Sequence, residues 1–215
     1  KVRVNGEVTF EYGISINPET DEVIYQNKKV ILKDPNAYLL FNKPPGVIST
    51  SSDTHGRKTP LDFIPKKYGR LFIVGRLDKN TTGLVLLTNN GEVANKLIHP
   101  RFEVPKLYEL TIDKALSTEN REKLQNGITL DGKMTIPVKI EVLTSTPTVS
   151  KLQLEMREGR KHQIKAMFGA FDIKVLALKR IAMANIKLGN VKEGEYRILS
   201  DSEIKDLQKY LKLAN

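Results

Sequence analysis

Two apolar runs, Leu71-Phe72-Ile73-Val74 and Leu84-Val85-Leu86-Leu87, constrain this chain more than any other feature. Each is too short for a helix and is bounded by turn formers, so each reads as a buried strand. The chain must turn between them, and the turn, Gly75-Arg76-Leu77-Asp78-Lys79-Asn80-Thr81-Thr82-Gly83, is polar. Its single carboxylate, Asp78, lies between Arg76 and Lys79, and the bracketing glycines suit tight backbone turns. An acid on a loop clamped between two core strands is well braced, and rigid scaffolds commonly carry chemistry on such loops. Taken alone, an Asp after a strand is more often a turn former or a helix cap.

The remaining pattern predicts an α+β fold: a central mixed, mainly antiparallel sheet with flanking helices, shared by two halves with the Asp78 cleft between them. Strands are expected at Tyr38–Phe41, within 101–112 and 128–142, at Leu152-Gln153-Leu154-Glu155-Met156, and as one long strand from Val175 to Leu188. Asp131-Gly132 reads as a hairpin turn. Helices are expected at 92–98, 117–125 and 200–213, the last opening with Ser200 and Glu203 at capping-box spacing. From Glu158 onward, Ile164, Met167, Phe168 and Phe171 recur at helical spacing, giving an amphipathic helix with Lys161 and Lys165 one turn apart at the edge of its apolar side. On that helical wheel His162 points away from the apolar side, and no acid–base role is assigned to it. Residues 1–34 read as an appendage: Val2, Val4 and Val8 alternate around Asn5-Gly6, a hairpin signal, and 21–33 read as a second strand pair turning at Asn27-Lys28. Residues 35–215 form the main domain.

Lys plus Arg number 35 against 25 Asp plus Glu, a net charge of +10. Between Lys151 and Lys187 there are nine basic and three acidic residues, a local net of +6. Such an excess favours a polyanionic partner such as RNA. The chain has no Cys and three His (His55, His99, His162), so disulfides and thiolate metal sites are excluded and no clustered metal ligands stand out. No apolar run approaches the ~18 residues of a membrane span, and no secretory signal pattern opens the chain, which starts at Lys1 rather than an initiator Met. The composition fits a reducing cytoplasm.

The string from Gly75 to Gly91 resembles the central motif of the pseudouridine synthases, in particular the RsuA-type branch that modifies ribosomal RNA. In that motif the Asp of Gly-Arg-Leu-Asp is catalytic and Thr-Gly-Leu-Leu-Leu-Leu-Thr-Asn-Asp-Gly follows; here Val85 and Asn90 depart from it. Asn42-Lys43-Pro44-Pro45-Gly46 is similar to the family's Asn-Lys-Pro-x-Gly, and its prolines and glycine stiffen a loop that presents Lys43. Lys106-Leu107-Tyr108 matches the family's Lys-preceded Tyr. The segment Gly159-Arg160-Lys161-His162-Gln163-Ile164-Lys165 resembles its third motif, with Ala166 where relatives often have a basic residue. Residues 175–188, carrying Lys179 and Arg180, resemble the Leu-x-Arg segment near the family's C-terminus, and 1–34 resemble the end of the small RNA-binding domain that precedes the catalytic domain, with its Val-Arg-Val-Asn-Gly signature.

The resemblance implies catalytic roles for Asp78, Tyr108 and Lys165. Tyr108 would stack on the target uracil and keep water out, and Lys165 would stand against Asp78. Arg76, Lys43, Arg160, Lys161, Lys179 and Arg180 would contact RNA, with Arg76 helping to fill the place of the flipped base. The implied partner is ribosomal RNA or a ribosomal subunit assembly intermediate, met by a monomer. His99-Pro100-Arg101 and His162-Gln163-Ile164-Lys165 point to different branches of the family, so the sequence names neither the uridine nor the subunit.

Converting uridine to pseudouridine breaks the bond from the sugar to a ring nitrogen and makes one to ring carbon 5. No atom enters or departs, so neither cofactor nor metal is required. A carboxylate can attack the anomeric carbon, remove a ribose proton, or stabilise positive charge on the sugar, a role known for glycosidase carboxylates. The main rival is a non-catalytic RNA-binding or ribosome-assembly factor, which has no need of an Asp, Tyr and Lys set. A glycoside hydrolase or nucleosidase would want a second carboxylate, and the neighbours of Asp78 are basic.

Overall fold

The structure, a computed structural model, describes residues 1–11, 13–17, 20–30 and 36–213. The chain divides into two compact units, Lys1–Pro35 and Asn36–Asn215.

The first unit is a small antiparallel sheet in the order Glu7–Thr9, Val2–Val4, Val23–Tyr25, Lys28–Lys29. Asn5 and Gly6 both have positive φ (51° and 89°), the geometry that lets a two-residue turn match the twist of its flanking strands. The second turn falls at Gln26-Asn27 (φ 49° and 61°), one residue earlier than the sequence suggests. Residues 31–33 of the expected second strand lie outside the described residues.

The larger unit is built on a nine-stranded sheet. Its main path runs Lys139–Ser145, Ser150–Met156, Lys106–Ile112, Val175–Met183, Thr82–Thr88, Tyr38–Lys43, Tyr196–Ile198. Every pairing is antiparallel except the one between Val175–Met183 and Thr82–Thr88, where Lys179 faces Thr82 and Arg180 faces Gly83. This is the expected mixed, mainly antiparallel α+β architecture, and the parallel pairing joins its two halves.

The central strands read as unbroken apolar runs because both their faces are covered. Leu39, Phe41, Val85 and Leu87 enter one core with Ile164, Met167 and Phe168. Tyr38, Leu40, Leu84 and Leu86 enter the other with Val93, Ala94, Leu97 and Leu207. Each fully buried Leu or Phe contributes about 1.5–3 kcal/mol. The helices on these cores are α1 (Gly91–Ile98), α2 (Thr118–Asn126), α3 (Gln163–Gly169) and α4 (Asp201–Tyr210), α3 covering the first core and α1 and α4 the second. Asn90, one of the two departures from the family motif, accepts from the amides of Glu92 and Val93 and caps α1. Ser200 and Glu203 form the expected capping box on α4.

Two expectations are corrected. The strand read from Val175 to Leu188 ends at Met183, turns at Ala184 (φ 53°) and returns as Ile186–Lys187. The helix read from Glu158 starts only at Gln163, because His162 takes a left-handed conformation (φ 56°, ψ 19°) that a right-handed helix cannot include.

Candidate active site

The loop carrying Asp78 leaves the Phe72–Val74 strand and enters Thr82–Thr88, as the two apolar runs require. Gly83 sits where the sheet's halves meet. Its φ is +101°, and a β-carbon there would overlap the Arg180 carbonyl and come within 2.8 Å of the Arg180 amide, so only glycine fits.

Two buried cations hold this loop. Arg180 is 1% exposed; its Nε donates to the Leu84 carbonyl at 2.7 Å and its terminal nitrogen to the Gly75 carbonyl at 2.6 Å. These acceptors lie at the two ends of the loop. Lys43 is fully buried, and its ammonium donates to the carbonyls of Pro44, Val47 and Lys79 at 2.9, 2.8 and 3.1 Å. Burial lowers the Lys43 amine to about 8, with Asp78 and Glu193 opposing the shift. The Gly46 amide also reaches the Lys79 carbonyl, and the Ser49 hydroxyl bonds both the amide and the carbonyl of Leu77. The Asn42–Gly46 turn is therefore a clamp on the acid's loop. Both side chains are buried and bond backbone carbonyls, where the sequence reading expected RNA contacts. Lys43 ends a strand buried along its whole length, whereas the Val175–Met183 strand is buried only in part, with Arg180 among its buried residues.

Asp78 itself is about one-third exposed and opens into a cleft lined also by Arg76, Tyr108, Arg160, His162 and Lys165. Tyr108 is 7% exposed and reaches the cleft from the strand paired with Arg180. Arg76 stands exposed at the mouth. Lys165, half-buried on α3, lines the cleft but makes no ion pair with Asp78 among the described residues. The group closest to pairing with that carboxylate is one the sequence reading passed over: His162 Nε2 lies 3.8 Å from Asp78 Oδ1. The helical wheel misplaced it because His162 precedes α3 rather than belonging to it, and its side chain makes no capping hydrogen bond. Lys161 likewise precedes the helix and is exposed, outside the cleft lining. Lys179, alternating with Arg180 on its strand, is also outside it. Arg160 is tied to Glu158 (3.2 Å) and to the carbonyls of Lys133 and Met134.

The hydroxyl of Thr81, 2% exposed in the lining beside Asp78, has no hydrogen-bond partner among the described residues. A buried unpaired hydroxyl costs about 1–3 kcal/mol and marks a place where stability is yielded. Among the described residues no group of three or more His, Asp or Glu is arranged to hold a metal, and no helix is long and apolar enough to cross a membrane.

A braced carboxylate in a cation-rimmed, aromatic-walled cleft suits chemistry on a sugar–base unit of a polyanion. Comparisons with known proteins agree. The family model described as RNA pseudouridylate synthase matches residues 37–170. An uncharacterized RNA pseudouridine synthase of Aquifex aeolicus is 37% identical over 97% of this chain and 84% of its own. The ribosomal large subunit pseudouridine synthase B of Bacillus subtilis is 39% identical over 97% and 85%. A crystal structure of a pseudouridylate synthase superposes with a TM-score of 0.74 at 33% identity, covering 96% of this chain and 88% of that one. The chain belongs to the RNA pseudouridylate synthases, as an RsuA-type isomerase that acts on uridine in RNA.

Proposed function

We propose that the chain converts one uridine of ribosomal RNA, in a subunit or its assembly intermediate, to pseudouridine in the cytoplasm, using the Asp78 carboxylate and no cofactor. The observation that carries this reading is the brace on Asp78: its loop is tied at both ends by Arg180 and in the middle by Lys43. A group that must meet an anomeric carbon during base departure and recapture gains from being held before the substrate arrives. Tyr108 supplies a flat face for the uracil, and Arg76 at the cleft mouth fills the space the flipped base leaves in the RNA. Lys165 and His162 line the same cleft as Asp78, with His162 Nε2 3.8 Å from its carboxylate. Residues 1–34 are read as the last part of a small RNA-binding domain, from their Val-Arg-Val-Asn-Gly hairpin.

The test is tritium release from ribosomal RNA labelled at uracil carbon 5, with wild type and Asp78→Asn in parallel. Release by wild type alone is the expected result, and mapping the product names the site. Salt-sensitive binding with no release from free RNA or assembly intermediates would favour a binding factor instead.

A further inference from the structure

Next to the Asp78 cleft lies a second cavity of about 410 Å³. Arg76, Tyr108, Gly159 and Arg160 line both, so a chain threaded through one passes directly into the other. We infer that this second cavity binds a backbone phosphate of the RNA beside the target uridine, with Lys106 as its central contact. The inference rests on the reading of the Asp78 cleft as the uridine site.

Charge balance carries the argument. Arg76, Lys106, Arg157, Arg160 and Arg180 line the cavity against one carboxylate, Glu158. That carboxylate is already engaged, by Arg160 Nε at 3.2 Å and the Ile136 amide at 2.9 Å. Arg157 makes two long contacts, with the Glu155 carboxylate at 3.5 Å and the Glu103 carbonyl at 3.4 Å. Arg76, Lys106 and Arg180 have no acidic partner among the described residues.

Lys106 is the informative member. It lies two residues before Tyr108 on the same strand face, with Arg180 opposite Tyr108 on the next strand. Among the described residues its ammonium has one hydrogen-bond partner, the Val104 carbonyl at 2.9 Å. Burial lowers the amine to about 8, and the Arg180 charge pushes the same way. The fold does not need a cation there, since an apolar side chain would fill the space without the desolvation penalty. A phosphate oxygen would offset that penalty and complete the hydrogen bonding of the ammonium. Arg180, with its donors directed at Leu84 and Gly75, adds fixed positive charge without contact. Contacts of this kind set the register of RNA, here the nucleotide that faces Asp78.

The experiment measures equilibrium binding of ribosomal RNA across a salt series for the wild type, Lys106→Met and Lys106→Arg, with tritium release run on the same samples. Expected for Lys106→Met is about tenfold weaker binding and a salt slope shallower by about one phosphate contact, with Arg restoring most of both. Its thermal stability below pH 8 should match or exceed that of wild type, which a merely structural lysine would not allow. Inorganic phosphate added at constant ionic strength should weaken RNA binding by wild type and not by Lys106→Met; competition without any change in the salt slope of the variant would assign the site to free phosphate. Equal affinity and slope for wild type and Lys106→Met, or a variant impaired only in turnover, would overturn the inference. Binding is read separately from release, so a wild type that binds but releases no tritium would count against the proposed reaction and leave the phosphate site to be judged on affinity.

Discussion

Four cations of the sequence motifs, one read as catalytic and three as RNA contacts, are sorted by the fold into two different kinds. Lys43 and Arg180 are as buried as the core leucines, and their donors are directed at backbone carbonyls of the acid's loop and its clamp. Arg76 and Lys165 line the cleft, and no carboxylate pairs with either among the described residues. The first pair makes the site by fixing where Asp78 is. The second pair is available to act on whatever enters. A basic motif residue in a protein that handles RNA is thus not automatically a contact to RNA; its burial decides.

The sharpest way to break this division is Arg180→Met. It leaves the Leu84 and Gly75 carbonyls unpaired in the core, so a stability loss of about 3 kcal/mol is expected by chemical denaturation, with activity lost in step with folded protein. A stable variant with RNA binding alone impaired would move Arg180 into the second class. Lys165→Met should behave oppositely. Turnover is expected to fall about a hundredfold, with stability within about 0.5 kcal/mol of wild type and RNA binding far less affected. Equal losses of turnover and binding would make Lys165 a docking residue.

The smallest effect is a pH dependence. The Lys43 amine titrates at about 8 in the folded chain against 10.5 when unfolded. Between those values the unfolded chain holds a proton that the folded chain has released, so the contribution of Lys43 to stability rises with pH across that window. Denaturation of wild type and Lys43→Met at the two ends of the window should show wild type gaining on the variant as pH rises. Parallel curves would mean that Lys43 keeps its proton on folding.

The strands were legible because Tyr38–Phe41, Leu71–Val74 and Leu84–Leu87 are apolar on both faces and admit one placement. The helix cap at Ser200 was legible because hydroxyl capping is local chemistry. His162 was not, since its position depends on one left-handed residue that hydrophobic periodicity cannot register. Nor was Lys106 as a charged group near Arg180, because their proximity comes from strand pairing between distant segments. The phosphate reading of Lys106 therefore depends on tertiary structure, whereas the reading of Asp78 came from a single continuous motif.

The parallel junction has a consequence for how the enzyme comes into being. The residue that ties down both ends of the acid's loop lies 96 and 105 positions beyond its two acceptors. Contacts so far apart in sequence raise the contact order, which goes with slower folding. A ribosome making this chain must deliver Arg180 before the loop of Asp78 is tied at both ends. A half-synthesised chain therefore carries its catalytic motif in full and still lacks the brace that would make it an enzyme.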